Sequence, residues 1–232
     1  FAEYGVYKAS AVRPIPDHLD FASAAAVGSA YLTAYVALVR RANIQPGEWL
    51  LVHGAAGGVG LAAVDLGKHL GARVIATASS EEKLEKIRQA YDPEVLINVN
   101  DGFREKVKEV TSGGADVIYD PVGGDVFDES VRCIGFDGRL LVIGFASGRI
   151  PQIGVNMPLI KGFSVVGVRA GEYGRRFPER GRENMEAVWD LVARKAVRPH
   201  VHAVYGLDDW RNAFADMEER RVVGRVIIDP SQ

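Results

Sequence analysis

Residues 52–60, Val-His-Gly-Ala-Ala-Gly-Gly-Val-Gly, set Gly54, Gly57 and Gly60 three apart, directly after the apolar run Trp49-Leu50-Leu51-Val52. The segment opens an amphipathic stretch, Leu61 to Leu70, and a second apolar run, Val74-Ile75-Ala76-Thr77, follows. Strand, small-residue turn, helix and strand form the setting in which such spacing carries chemistry. Glycines permit the tight turn and let backbone N–H groups approach a pyrophosphate, whose charge is met by the positive end of the helix. The pattern is G-x-x-G-x-x-G rather than G-x-G-x-x-G, and alone it is equally a ligand-free strand-to-helix turn. The flanking runs favour dinucleotide binding through Ala56, Gly57, Gly58 and Val59.

The end of the second run bears on which nucleotide. Folds that prefer NAD place an acidic side chain there, about 20 residues past the glycine turn, to accept from the ribose 2′-hydroxyl. Here the position is Ala78, followed by Ser79, Ser80 and, one turn on, Lys83. A carboxylate would repel a 2′-phosphate, whereas hydroxyls and an ammonium would hold it, so these residues point to NADPH. The plainer alternative is that the serines only cap a helix and Lys83 is solvated.

Other chemistry-bearing residues are less promising. Cys133, the only cysteine, excludes an internal disulfide framework, reads as a small buried apolar residue and fits a reducing, cytoplasmic setting. His200-x-His202 could present two imidazoles on one strand face, but catalytic zinc needs three protein ligands and no third partner is visible. Arg169, Arg175, Arg176, Arg180 and Arg182 could anchor a phosphate. Glu172, Glu179 and Glu183 interleave with them, which favours a solvated ion-pair surface.

These residues need a scaffold, and the pattern supplies one. The chain has 232 residues, 47% hydrophobic and 25% charged, with a net charge of −2, and contains no long single-sign run. That balance suits a globular domain and removes the electrostatic attraction of a nucleic-acid or membrane binder. No apolar stretch is read as a membrane span. Six apolar runs (49–53, 73–77, 95–97, 116–119, 139–143 and 163–168) alternate with helical segments. This predicts an α/β fold, a doubly wound parallel six-stranded Rossmann sheet. Ser79-Ser80-Glu81-Glu82 reads as a capping box for a helix running to about Ala90, and Met185, Val188, Trp189 and Val192 recur at helical spacing as core. Phe1–Val12 reads as a strand, Asp20–Arg41 as helical, Asp208–Glu219 as a helix and Val223–Asp229 as a last strand, outside the repeating scheme.

Ala30-Tyr-Leu-Thr-Ala-Tyr, Gln45-Pro-Gly-Glu, the glycine turn, Ala78-Ser-Ser-Glu-Glu-Lys-Leu, Asp120-Pro-Val-Gly-Gly and Gly144-Phe-Ala-Ser-Gly together resemble the medium-chain dehydrogenases/reductases, and within them the zinc-independent quinone oxidoreductase branch. The resemblance implies a Rossmann domain inserted into a GroES-like β-barrel domain. Residues 1–20 would be a partial barrel, 21–170 the dinucleotide-binding domain, and 171–232 the return to the barrel, with about the first hundred residues of the family's fold absent. It implies cofactor contacts from Val122 and from Gly144, Phe145, Ala146 and Ser147, and a nicotinamide contact from Thr33. Relatives often add a tyrosine near the end of the third strand, where this chain has Val99. Zinc-dependent relatives carry a cysteine shortly before the threonine matched by Thr33; here that stretch is Gly28-Ser29-Ala30, which implies no zinc.

The implied activity is hydride transfer from NADPH to a quinone or similar electrophilic carbonyl, with no catalytic residue nominated. An enoyl-thioester or enone reductase on the same scaffold is the alternative. A non-catalytic nucleotide- or RNA-binding protein is a third, disfavoured by the neutral charge and intact glycine turn. The expected partners are a small-molecule electrophile and a second copy of the chain. That copy would pair through residues 163–168, an edge strand without charge or proline. These 232 residues alone are expected to fold but to reduce no quinone.

Overall fold

The computed structural model describes residues 1–9 and 11–232. Six strands, β1 (Trp49–Val52), β2 (Arg73–Ala78), β3 (Val95–Asn98), β4 (Ala115–Asp120), β5 (Ile134–Val142) and β6 (Ser164–Gly167), form one sheet in the order β3-β2-β1-β4-β5-β6. Every neighbouring pair is parallel. The expected sheet is therefore present, and its order reverses between β1 and β4, where a doubly wound sheet opens a crevice at its carboxyl edge.

Alternation along the strands explains why the runs are almost continuously apolar. Leu50, Val52, Val74, Ala76, Val117 and Tyr119 face one core, shared with α1 (Phe21–Tyr35), α2 (Gly58–His69), α3 (Glu81–Tyr91) and α8 (Pro178–Ala193). Leu51, Ile75, Ile118 and Leu140 face the other, which holds Val107 of α4 (Arg104–Thr111) and Phe127 of α5 (Gly124–Ser130). A strand buried on both faces has no polar side to present. Val188 and Val192 of α8 are buried as the periodicity requires, and Leu191 joins them.

Several expectations need correction. Residues 1–12 form no strand; the segment carries only a short 3-10 turn, Ala9–Ala11, and its described residues are exposed. A strand is stable only when its N–H and C=O groups find a ladder, and none lies alongside. The last strand does lie outside the six-stranded sheet, but it has a partner that the sequence reading did not name. β8 (Arg225–Asp229) pairs in parallel with β7 (Val201–Gly206), and α9 (Trp210–Glu218) lies between them in sequence. The cap of α3 sits one residue later than the capping box implies: Ser80 Oγ accepts from Lys83 N–H, so position N3 is Lys83, not Glu82. Finally, one helical stretch, Phe21–Arg41, is long and apolar enough to cross a membrane by length and composition. In this fold Ala24, Ala26, Val27, Ala30, Tyr31 and Ala34 of α1 are buried, as in a core helix flanked on several sides. Its last turns, Val36–Arg41, are π-helical, with Ala42 N–H donating to Ala37 O at 2.8 Å.

β1 is tied to its neighbours by one buried imidazole. His53 follows the strand, stacks edge-on with Phe103 at 4.6 Å and lies 2.8 Å through Nε2 from Ser130 Oγ. Ser130 Oγ donates to Val126 O, so it must accept from His53 Nε2–H; Nδ1, 3.2 Å from Thr77 Oγ1, then accepts from that hydroxyl. Burial pushes the His53 pKa down to about 3, so the ring stays neutral in the folded chain. The unfolded chain takes up a proton near pH 6.5, so the contribution of His53 is complete above that pH and lost as pH falls toward 3. The slope is about 1.4 kcal/mol per pH unit. Urea titrations of the wild type and His53→Gln should give a stability gap that narrows steadily from pH 7 to pH 5; a constant gap would mean that the ring titrates in place.

Candidate functional site

Four turns meet at the carboxyl edge of the sheet. After β1 the chain enters Gly54 at φ +54°, and Gly57 N–H donates back to Gly54 O at 2.9 Å. α2 begins at Gly58, three residues earlier than its apolar periodicity suggests. Its cap, Gly57, has no side chain, and the first helical bond is Leu61 N–H to Gly57 O at 2.8 Å. The N–H groups of Gly58, Val59 and Gly60 therefore precede that bond and point from the positive helix end. A Cβ on Gly60 would stand 2.3 Å from Gly54 O, and one on Gly67 2.5 Å from Leu50 Cδ2. Helix α2 thus lies closer to β1 and its turn than any side chain at those two positions would allow.

The turn after β4 leans on this one, with a Cβ on Gly54 meeting Val122 Cγ2 at 3.3 Å. It is shaped by Asp120, buried at 1% exposure, whose Oδ1 accepts from Val122 N–H (2.8 Å) and Gly123 N–H (2.9 Å). Burial raises the Asp120 pKa, against the pull of those two donors. The turn after β5 is fastened to it: Ala146 N–H donates to Pro121 O (3.0 Å) and Ser147 N–H to Val122 O (2.9 Å). Gly144, Phe145, Ala146, Ser147 and Val122, singled out in the sequence, are thus brought into one rim. Thr33 on α1 is half-buried and donates its hydroxyl to Ser29 O at 2.7 Å, leaving the oxygen lone pairs free to accept.

The sequence reading missed what the C-terminal segment contributes. Gly224 N–H donates to Ala56 O at 2.8 Å, and Gly224 bridges in parallel to Gly57. This carries Arg225 over the start of α2, where its Nε would lie 2.6 Å from a Cβ on Gly58; Nη2 donates to Ser29 Oγ at 2.9 Å. Burial lowers the pKa of this guanidinium, and no carboxylate lies within ion-pair distance of it among the described residues. The preceding turn brings Arg220 and Arg221 to a cavity of about 420 Å³ that Ser79, Ser80, Lys83, Lys86, Glu82 and His202 also line. Within it Lys86 pairs with Glu82 at 2.7 Å, and Arg221 with Asp216 at 2.6 Å. Lys83 and Arg220 have no ion-pair partner among the described residues. Arg220 holds φ +57°, a left-handed conformation that glycine would adopt without strain. Nothing in the local sequence marked Arg220, because its partners lie some 140 residues upstream.

A glycine cradle at a free helix end, with a separate cavity holding two uncommitted cations and two hydroxyls, has the donor set for a diphosphate and a further phosphate. No group of three His, Cys, Asp or Glu side chains is close enough to hold a metal among the described residues, and His202 Nδ1 accepts from Val223 N–H. Cys133 is buried, which pushes its thiol pKa up to about 12. Of the five arginines that follow β6, Arg175 and Arg176 both pair with Glu172.

Comparison with known proteins places this geometry among relatives. A family model described as zinc-binding dehydrogenase matches residues 58–194. A quinone oxidoreductase-like protein 2 homolog from Nematostella vectensis is 39% identical over 234 residues, covering all of this chain and 64% of the relative. The chain therefore spans just under two thirds of that relative's length. Among solved structures, the quinone oxidoreductase from Thermus thermophilus, also determined as its complex with NADPH, superposes with a TM-score of 0.82 at 31% identity, covering 94% of this chain and 70% of that one. The CurK enoyl reductase superposes at 0.83 with 27% identity, covering 93% and 64%.

The contact between Gly60 and Gly54 O gives the site a direct mechanical check. Gly60→Ala must push α2 off the turn, and overpacking of this kind costs about 1–3 kcal/mol. Guanidinium denaturation should show that loss, while Gly28→Ala, with open space around its Cβ position, should be neutral or stabilising.

Proposed function

The chain belongs to the zinc-binding dehydrogenase family, among the quinone oxidoreductase-like members of the medium-chain dehydrogenases/reductases, and from that premise we propose that it serves an NADPH-dependent reductase of quinone-type acceptors. The observation that carries the cofactor choice is the cavity beyond β2, where Ser79, Lys83 and Arg220 converge and the strand ends in Ala78 instead of a carboxylate. Its donors suit a 2′-phosphate, and the one carboxylate there, Glu82, is engaged by Lys86. Ser80 Oγ already caps α3, so Ser79, Lys83 and Arg220 do most of the holding.

In this reading the free N–H groups at Gly58 and Val59, beside Ala56 and the side-chain-free Gly57, take the pyrophosphate, and Arg225 offsets its charge. Val122 and the Gly144–Ser147 rim flank the ribose and the nicotinamide, with Thr33 Oγ1 as an acceptor near the ring. When bound, the nicotinamide supplies the hydride. The chain's own residues bind, orient and exclude water, and none in the described set is assigned a proton transfer; we route no step through a metal. We assign residues 1–20 and 171–232 to a partial GroES-like domain and 21–170 to the dinucleotide-binding domain, with Arg220 and Arg225 reaching back onto the nucleotide side.

The likeness to an enoyl reductase supports a second reading, reduction of an enone or enoyl thioester on the same scaffold. Turnover of a simple benzoquinone against a crotonyl thioester, both with NADPH, separates the two; we expect the quinone to be favoured.

We also infer a homodimer through residues 163–168. β6 ends the sheet, and Val165, Leu159, Ile160 and Phe136 are exposed nearby, more apolar surface than an edge usually leaves uncovered. Val168 N–H bonds Val142 O, so by the period of two Val166 N–H faces β5 while Val165 N–H faces outward. Val165→Pro should therefore shift sedimentation toward monomer with the sheet intact, whereas proline at Val166 would cut the chain's own ladder.

The phosphate cavity makes the sharpest test. Loss of one charge-assisted contact lowers affinity about tenfold or more, so Lys83→Ala should weaken NADPH and leave NADH nearly unchanged in a nucleotide titration. Arg220→Gly should do the same while leaving stability equal or higher, because glycine relieves the left-handed backbone. Equal affinity of the wild type for both nucleotides would overturn the assignment.

A further inference from the structure

A second cavity, of about 510 Å³, lies away from the phosphate cavity, between the segment before α1, α1 itself, α7 (Ala170–Arg176) and α8. It exists because α7 and α8 cross at glycines: a Cβ on Gly181 would stand 2.5 Å from Gly174 Cα, so the two helices meet there and splay beside the crossing. Leu32 and Met185 give it an apolar side. Arg13, Arg182 and Asn184 give it donors.

Asn184 is the informative residue. It is 1% exposed, and its Oδ1 accepts from Arg40 Nε at 2.7 Å. Arg40 can only donate, so that bond fixes which end of the carboxamide is oxygen. Nδ2 is left buried with no hydrogen-bond partner. A buried donor without an acceptor destabilises the fold that carries it, and native chains hold few such groups. Arg40 itself is held by Glu183 at 2.9 Å and cannot swing away without breaking that pair. The two cations at the mouth are uncommitted as well: Arg13 stacks over Trp189 at 5.4 Å, and neither Arg13 nor Arg182 has a carboxylate within ion-pair distance among the described residues.

We propose that this cavity binds an organic monocarboxylate, its chain against Leu32 and Met185 and its carboxylate between Arg13, Arg182 and the Asn184 amide. Two guanidinium forks and an amide N–H match the lone pairs of one carboxylate. Glu186 on the same wall disfavours a dianion and selects the carboxylate over a phosphate. The site is separate from the proposed nucleotide contacts, so it stands or falls independently of them.

The test titrates the whole protein with sodium hexanoate by calorimetry and by tryptophan fluorescence, with 1-hexanol and inorganic phosphate at matched ionic strength as comparisons. Hexanoate should bind saturably and at least about tenfold more tightly than either. The fluorescence change should vanish in Trp189→Phe. Arg182→Gln, an exposed substitution that the fold tolerates, should weaken hexanoate about tenfold and leave NADPH affinity unchanged. Asn184→Asp, if it folds, should abolish hexanoate binding by placing a like charge on the floor. Absence of saturable binding, hexanol or phosphate binding as tightly as hexanoate, or full binding in Arg182→Gln would overturn the proposal.

Discussion

The position of α2 against the turn after β1 is the constraint on which the rest of the site depends. Gly54 O receives Gly57 N–H and has Gly60 pressed against it, so the first turn of the helix cannot stand off from the sheet. That single close approach sets where the free N–H groups at Gly58 and Val59 point. Gly67 extends the same closeness one face further along, against Leu50. With the helix pinned at both places, the position of its positive end is a property of the packed core and not of a flexible loop. The neutral His53 clamp keeps β1, β2 and α5 in register beneath it.

The remaining turns are built on this one and hold each other. Val122 packs on Gly54, Asp120 shapes the chain carrying Val122, and two backbone bonds tie the 144–147 turn to the same segment. Each contact is short-ranged and mostly made by backbone, so side chains along the rim remain free for a ligand. Charge is distributed in keeping with that arrangement. Where the backbone donors leave room, the cations have no ion-pair partner among the described residues: Arg225 over α2, and Lys83 with Arg220 beyond β2. Elsewhere most arginines are already engaged by acidic neighbours, as Arg139 is by Glu48 at 2.7 Å.

Much of this was legible from residue order. Six apolar runs gave the strands because a strand covered on both faces has no polar alternation to obscure it, and Gly57, Gly58, Ser79 and Lys83 stood out because turn chemistry is local. What escaped is what depends on distant pairing. Phe1–Val12 has the composition of a strand but no ladder to join, and composition does not report the missing partner. Arg220 and Arg225 reach the nucleotide side only because β8 pairs with β7, a register that no window of sequence contains. The cap on Ser80 in place of Ser79 is a one-residue slip of the kind that pattern reading permits, and it changes which hydroxyl is free. Nothing in the local sequence marks Asn184, because Arg40, which holds its oxygen, lies 144 residues upstream on the π-helical end of α1.

The bridge between Gly57 and Gly224 also bears on the order of assembly. Every pairing of the central sheet joins segments that have been synthesised by the time residue 167 is made, and α8 can close the core soon afterwards. The glycine turn must wait for Gly224, 57 residues further along than Gly167, before its final backbone bond can form. Long-range contacts of this kind are formed late because loop closure precedes their reward. During synthesis the scaffold is thus finished before the cradle, and a chain truncated a few residues short of β8 would carry a folded sheet whose anion-facing turn lacks one of its walls.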